Sequence, residues 1–235
     1  MSWWIGRIEP SMWFEGPSWH AVLPADVRVG VLSLGIGRLV PEEIERAHGE
    51  ILAKVALLER EGVDVINVGG SPVVGAYGRD GHARLVEEIG GIVTRPFVTS
   101  LQAELEALRA VGAGKVAIAS PYPVAQTEKR AALLEEEGFE VLGHDTLDIE
   151  RNREIAMLDR GLVVRQAQGV AARWPDADVV YLPCGSLPVV EVIDRIEAET
   201  GKPVVTNVQA QAGACLRRLG YPEPVHGYGR LLAGV

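Results

Sequence analysis

The chain has 235 residues, 47% of them hydrophobic and 23% charged, a composition that excludes a disordered or collagen-like protein. A formal net charge of −9 disfavours a nucleic-acid or anionic-membrane surface, both of which reward clustered Lys and Arg. Two cysteines, Cys184 and Cys215, are too few for a disulfide framework and point to a reducing, cytoplasmic setting. No run is long and apolar enough to span a membrane, and the first twenty residues lack the apolar core of a signal peptide.

In chain order, short β-branched runs and amphipathic stretches alternate. Strands are predicted at Trp4–Ile8 and Val27–Leu34, followed by a helix over Pro41–Arg60 with acidic early turns and Gly62 past its end. A strand at Val63–Val68 and a helix over Ser100–Val111 come next. A strand at Val116–Ser120 then precedes a helix over Val124–Glu137. The remaining elements are a strand at Val179–Leu182, a helix over Leu187–Thr200, a strand at Pro203–Thr206 and a helix over Gln209–Leu219. Unbroken apolar strands separated by helices imply βαβ units and parallel sheets covered on both faces. Four of the five tryptophans fall in the first nineteen residues, which suits either a roof over a site or a face for a second subunit.

The chain resembles itself. Asp64-Val-Ile-Asn-Val-Gly-Gly-Ser-Pro-Val-Val74 matches Asp178-Val-Val-Tyr-Leu-Pro-Cys-Gly-Ser-Leu-Pro-Val-Val190, and Arg95-Pro-Phe-Val-Thr-Ser100 matches Lys202-Pro-Val-Val-Thr-Asn207. Two copies of one α/β unit create a cleft, and ligands in such sheets sit outside the carboxyl ends of the strands. The repeat sets Gly69 opposite Cys184, so one copy offers a thiol and the other offers none.

Cys184 follows a strand and precedes Gly185-Ser186-Leu187-Pro188, which opens the helix predicted there; a helix N-terminus lowers a thiol pKa. The competing reading is a small buried hydrophobe. Gly69-Gly70-Ser71 lets backbone N–H groups approach a carboxylate and adds the Ser71 hydroxyl as a donor. Tyr122 stands at the carboxyl end of a strand, with Glu9-Pro10-Ser11 in the matching place of the first copy. Cys215, mid-helix, reads as packing, and His48 and His82 as solvated. None of the five histidines has metal-ligand spacing, and Gly35-Ile36-Gly37 lacks the full dinucleotide fingerprint.

The segments Trp4-Ile-Gly-Arg-Ile-Glu-Pro-Ser11, Val63–Ser71, Gly114–Pro123, Leu182-Pro-Cys-Gly185, Lys202–Thr206 and Gly227-Tyr-Gly-Arg-Leu231 resemble the aspartate/glutamate racemase superfamily, in its arylmalonate decarboxylase and maleate isomerase branch. The resemblance implies two flavodoxin-like lobes, residues 1–98 and 99–206, related by a pseudo-twofold axis. Residues 207–235 pack back on the first lobe, and the site lies between the lobes. It also implies that two-thiol members carry a cysteine in each half, whereas the decarboxylase has glycine at the first position, as Gly69 stands here. By the same resemblance Gly70, Ser71, Tyr122 and Gly185 form a hole that holds a carboxylate and stabilises an enediolate, with Pro10, Ser11 and Ser186 beside it, and Ile36 and Leu39 line an apolar pocket for the departing carboxylate. Departures from the pattern are Gly70 in place of threonine and the polar stretch Glu150-Arg-Asn-Arg-Glu154, in which Asn152 looks closer to the isomerases.

The expectation is a cofactor-free and metal-free decarboxylase of a substituted malonate, with Cys184 protonating an enediolate opposite Gly69. A maleate isomerase-like or racemase-like enzyme and a small-acid binding protein are the alternatives. The partner is a small mono- or dicarboxylic acid, and a homo-oligomer is compatible with all three.

Overall fold

A computed structural model describes residues 2–11, 16–37 and 40–234. In the first half, β1 (Trp3–Glu9), β2 (Val27–Ser33), β3 (Val65–Val68) and β4 (Phe97–Thr99) form a parallel sheet of order β2-β1-β3-β4. In the second half, β5 (Lys115–Ser120), β6 (Glu140–Thr146), β7 (Val179–Leu182) and β8 (Val204–Thr206) repeat that order as β6-β5-β7-β8. The helices are α1 (Gly16–Val22), α2 (Pro41–Glu61), α3 (Ser71–Val74), α4 (Gly78–Gly90), α5 (Ser100–Ala110), α6 (Val124–Glu136), α7 (Asn152–Ala156), α8 (Arg160–Arg173), α9 (Ile193–Thr200), α10 (Asn207–Leu219) and α11 (Arg230–Ala233). No helix among the described residues is long and apolar enough to cross a membrane.

The internal repeat has a physical basis. Asp64 accepts the Trp4 amide at 2.8 Å, and its counterpart Asp178 accepts the amides of Gly114 and Lys115 at 2.9 and 2.6 Å. Each carboxylate thus pins the start of the neighbouring central strand; the two backbone hydrogen bonds hold Asp178 below the usual carboxylate range. Thr99 and Thr206 close capping boxes with Gln102 and Gln209 at the starts of α5 and α10. Each cap is worth about 1 kcal/mol and ends its strand sharply at the edge where the site lies.

Along α2, Ala47, Ile51, Val55 and Leu58 form the buried stripe, and the helix stops at Gly62, whose φ of 79° is left-handed. Its close approach to β1 needs Gly6: a Cβ there would meet Leu58 Cδ2 at 2.8 Å and Val63 Cγ2 at 2.9 Å. The α10 helix leaves the second sheet and packs against α5, β3 and β4, so it joins the halves. The closing segment is tied back by Gly229 N to Asp194 (2.6 Å), Arg230 N to Glu197 (3.0 Å) and Gln209 Nε2 to the Tyr228 carbonyl (2.7 Å).

Three expectations change. Strand β6 is a half-exposed edge reading Glu-Val-Leu-Gly-His-Asp-Thr, without the apolar run that marks a buried strand. Strand β4 has three residues, too few for a pattern. The helix expected over Leu187–Thr200 begins only at α9, after one 3₁₀ turn at Val190–Val192. Pro188 disfavours helical backbone at Leu187, so the turn after Cys184 stays open. In the tryptophan-rich start, Trp19 is buried under the Arg7 guanidinium at 4.3 Å and Trp4 is 47% exposed, while Trp13 lies outside the described residues.

Gly6→Val is expected to destabilise the fold by about 1–3 kcal/mol through overpacking. Gly49→Ala, on an open face of α2, is expected to stabilise it by about 0.5–1 kcal/mol. Urea unfolding of both variants checks the pair.

Candidate active site

Both sheets reverse direction of winding at their centre, between β1 and β3 and between β5 and β7. The crevice outside the carboxyl ends at such a point is the natural ligand position. A small cavity of about 20 Å³ lies there. Pro10 follows β1, Gly70, Ser71 and Pro72 follow β3, Tyr122 follows β5, and Gly185 and Ser186 follow β7; Asn152 of α7 and Asn207 of α10 complete the wall. No lining side chain is charged. Neutral donors can hold an anion here without burying an unpaired cation.

Cys184 stands directly before Gly185 and is 1% exposed. Its thiol is pushed up to about 11. Burial is the largest cause, and the Tyr122 hydroxyl and the Ser186 and Leu187 amides offset it only in part. This corrects the expected lowered pKa: no helix starts at the turn, so no helix dipole acts on the sulfur. Burial also holds the Tyr122 phenol well above its ordinary value, so both groups are protonated at neutral pH.

Gly70 has φ 86°, and a Cβ there would meet Pro10 Cγ at 2.5 Å. The Pro10 ring therefore occupies the space that a threonine would need, which accounts for the glycine. Gly69 is not among the residues lining this cavity. A Cβ built on it meets the Ile8 carbonyl oxygen at 2.8 Å and Arg7 Nη2 at 3.2 Å. A cysteine at this position thus requires a backbone shift, and the space beyond it holds a guanidinium. Arg7 is fully buried; it pairs with Glu9 at 3.2 Å and donates to Asn67 at 2.6 Å and Gln211 at 3.2 Å.

The Ser71 hydroxyl is already engaged. It donates to Glu104 Oε1 at 2.8 Å and accepts from Asn207 Nδ2 at 2.8 Å. Glu104 also accepts from Asn207 at 2.6 Å and from Arg130 Nη1 at 3.3 Å. Ser71 therefore presents its amide to the cavity rather than the expected hydroxyl proton. The amides of Gly70, Ser71 and Gly185 donate to no backbone carbonyl among the described residues. The side chains of Asn152 and Ser186 have no protein hydrogen-bond partner there either.

Of the remaining expected residues, Ser11 is half-buried at the end of β1, outside this wall. Ile36 is buried, its amide donating to the Pro10 carbonyl at 2.8 Å, and does not line this cavity; Leu39 lies outside the described residues. His82 is mostly buried rather than solvated and contacts Thr99 Oγ1 at 2.8 Å, and burial lowers its pKa. Cys215 is buried within α10. No cluster of three or more His, Cys, Asp or Glu among the described residues could hold a metal. Sequence reasoning missed Glu104, Asn207, Arg130 and the buried Arg7. Glu104 falls at a helix position that alternation would fill with an apolar side chain, and a charge there is the one available signal.

Glu104→Leu, which strands the Arg130 guanidinium, is expected to cost about 3–5 kcal/mol. The double variant Glu104→Leu/Arg130→Leu is expected to recover most of that loss. Chemical denaturation of the single and double variants measures the coupling.

The Amdase family model, described as arylmalonate decarboxylase, matches residues 5–232. Arylmalonate decarboxylase of Bordetella bronchiseptica is 28% identical over 97% of this chain and 95% of its own. A maleate isomerase of Pseudomonas putida is 35% identical over 59% of this chain and 55% of its own. Among solved structures, a liganded double mutant of arylmalonate decarboxylase superposes with a TM-score of 0.90 at 27% identity, covering 98% of this chain and 99% of that one. The maleate isomerase Iso of Pseudomonas putida S16 superposes with a TM-score of 0.89 at 27% identity, covering 100% of this chain and 99% of that one. The chain belongs to the arylmalonate decarboxylase family.

Proposed function

We propose that the protein is a cofactor-free decarboxylase of a small substituted malonate, using Cys184 as its single proton donor. The observation that carries this reading is a buried thiol, pushed up to about 11, directly before the cavity-lining Gly185, with no second thiol at Gly69 in the other half. At neutral pH such a thiol gives a proton; it neither abstracts one nor adds to a double bond as thiolate.

One substrate carboxylate is held by the free amides of Gly70, Ser71 and Gly185 and by the Tyr122 hydroxyl. The bond from Cα to the other carboxyl group breaks, CO₂ leaves, and the electron pair enters the retained carboxylate as an enediolate. The same neutral donors face the charge that develops, and losing one of them costs about 2.7–4 kcal/mol. Cys184 Sγ then transfers its proton to Cα. The thiolate left behind is strongly basic in its buried setting and regains a proton from solvent. Asn152 and Ser186, with unused polar groups, suit a compact polar substituent on Cα better than an aryl ring.

Asn152 supports a second reading, isomerisation of a maleate-like diacid. It lines the cavity and looks like the isomerase residue. The neutral thiol weighs against it, since addition to the double bond needs a thiolate.

Assayed with malonates that carry a small polar substituent at Cα, the protein is expected to release CO₂ and the matching monoacid, and to form no fumarate from maleate. Fumarate without CO₂ would establish the isomerase instead. Cys184→Ser is expected to abolish turnover, and Tyr122→Phe to lower kcat by about 10²-fold. Because the acid form of the thiol is the active one, kcat is expected to hold across neutral pH and fall only as pH rises toward about 11. A fall centred near pH 7 would contradict the assignment.

A further inference from the structure

A second cavity, of about 200 Å³, abuts the first across Ser71, Pro72 and Tyr122. One side is a stripe of α6: Gln126, Arg130 and Leu133 share a face at spacings of four and three residues. The facing wall is apolar and comes from Ile44 of α2 and Ala76, just past α3. Lys129 stands exposed at the rim.

The Arg130 side chain is 9% exposed, and its one protein hydrogen bond is the 3.3 Å contact from Nη1 to Glu104. The rest of its five N–H donors have no protein partner among the described residues. Gln126 hides its Oε1 without a partner, and its Nε2 is likewise unused. None of the Arg130 nitrogens is both fully buried and unpartnered, so its spare donors open toward the cavity it lines, where an acceptor can reach them. Its fork geometry fits a carboxylate through two parallel hydrogen bonds.

We infer that this second cavity is a binding site for a short aliphatic carboxylate. The head group lies on Arg130 and Gln126 Nε2, the chain lies against Ile44, Ala76 and Leu133, and Lys129 adds charge at the mouth. The site is distinct from the cavity beside Cys184 and does not depend on the reaction proposed there.

Calorimetric titration of the full chain with hexanoate tests it. Wild type and Cys184→Ser are expected to bind hexanoate alike, and hexanol or inorganic phosphate at least tenfold more weakly. Gln126→Glu leaves the Arg130–Glu104 pair intact while setting a negative charge in the pocket; it is expected to weaken hexanoate at least tenfold with an unchanged Tm. Arg130→Leu is expected to weaken hexanoate at least tenfold as well, but at a lower Tm because it strands the buried Glu104, and the Gln126 variant keeps the test valid if Arg130→Leu fails to fold. Absence of hexanoate binding by the wild type would overturn the site. Equal affinity in Gln126→Glu, or loss of binding in Cys184→Ser, would also overturn it. Phosphate binding as tight as hexanoate would overturn the aliphatic half of the assignment.

Discussion

The cost of burying charge shapes this molecule. The cavity at the seam presents no charged side chain, yet charges are packed immediately behind it. Arg7 and Glu9 neutralise each other under the first sheet, and Glu104 and Arg130 do so between α5 and α6. Asn207 and Gln211 of α10 link the two pairs, since Gln211 takes Arg7 Nη1 and donates to Asn207 Oδ1 at 2.6 Å. The same desolvation that forces these ions to pair holds the Cys184 and Tyr122 protons in place. A neutral thiol and a neutral phenol are the form a proton donor and an anion-binding hydroxyl need.

Duplication supplies the geometry. Each half repeats a strand order that opens a crevice at the carboxyl ends of its central strands, and the two crevices meet. The halves have diverged in what they place there. The turn after β3 is glycine and an engaged serine, with Pro10 and Arg7 filling the space around it. The turn after β7 carries the sulfur. Pairing of Asp64 and Asp178 with the neighbouring strand starts keeps the scaffold equivalent while the two turns differ in their side chains.

Much of this was legible in the chain. The two parallel α/β units, the internal repeat and the cluster Gly70, Ser71, Tyr122, Gly185 follow from apolar runs and turn residues, because strand burial and tight turns leave local marks. The β6 edge strand left none, since a half-exposed strand with a central glycine has no apolar run. The thiol's acidity is not legible locally, because the Leu187-Pro188 step breaks the helix that the pattern after Cys184 predicts. The engagement of the Ser71 hydroxyl is not legible either, because its partners, Glu104 and Asn207, lie 33 and 136 residues away in sequence. Local pattern carries no record of such distant pairings.

The central claim is that one sulfur delivers one proton to one face of an enediolate. Turnover of a prochiral, unsymmetrically disubstituted malonate in D₂O, read by mass spectrometry and chiral chromatography, tests it most directly. The account predicts a monoacid of a single hand carrying one deuterium at Cα, its hand unchanged on prolonged incubation. A racemic product, or racemisation of the product on prolonged incubation, would require a second proton carrier facing the cavity and would contradict it.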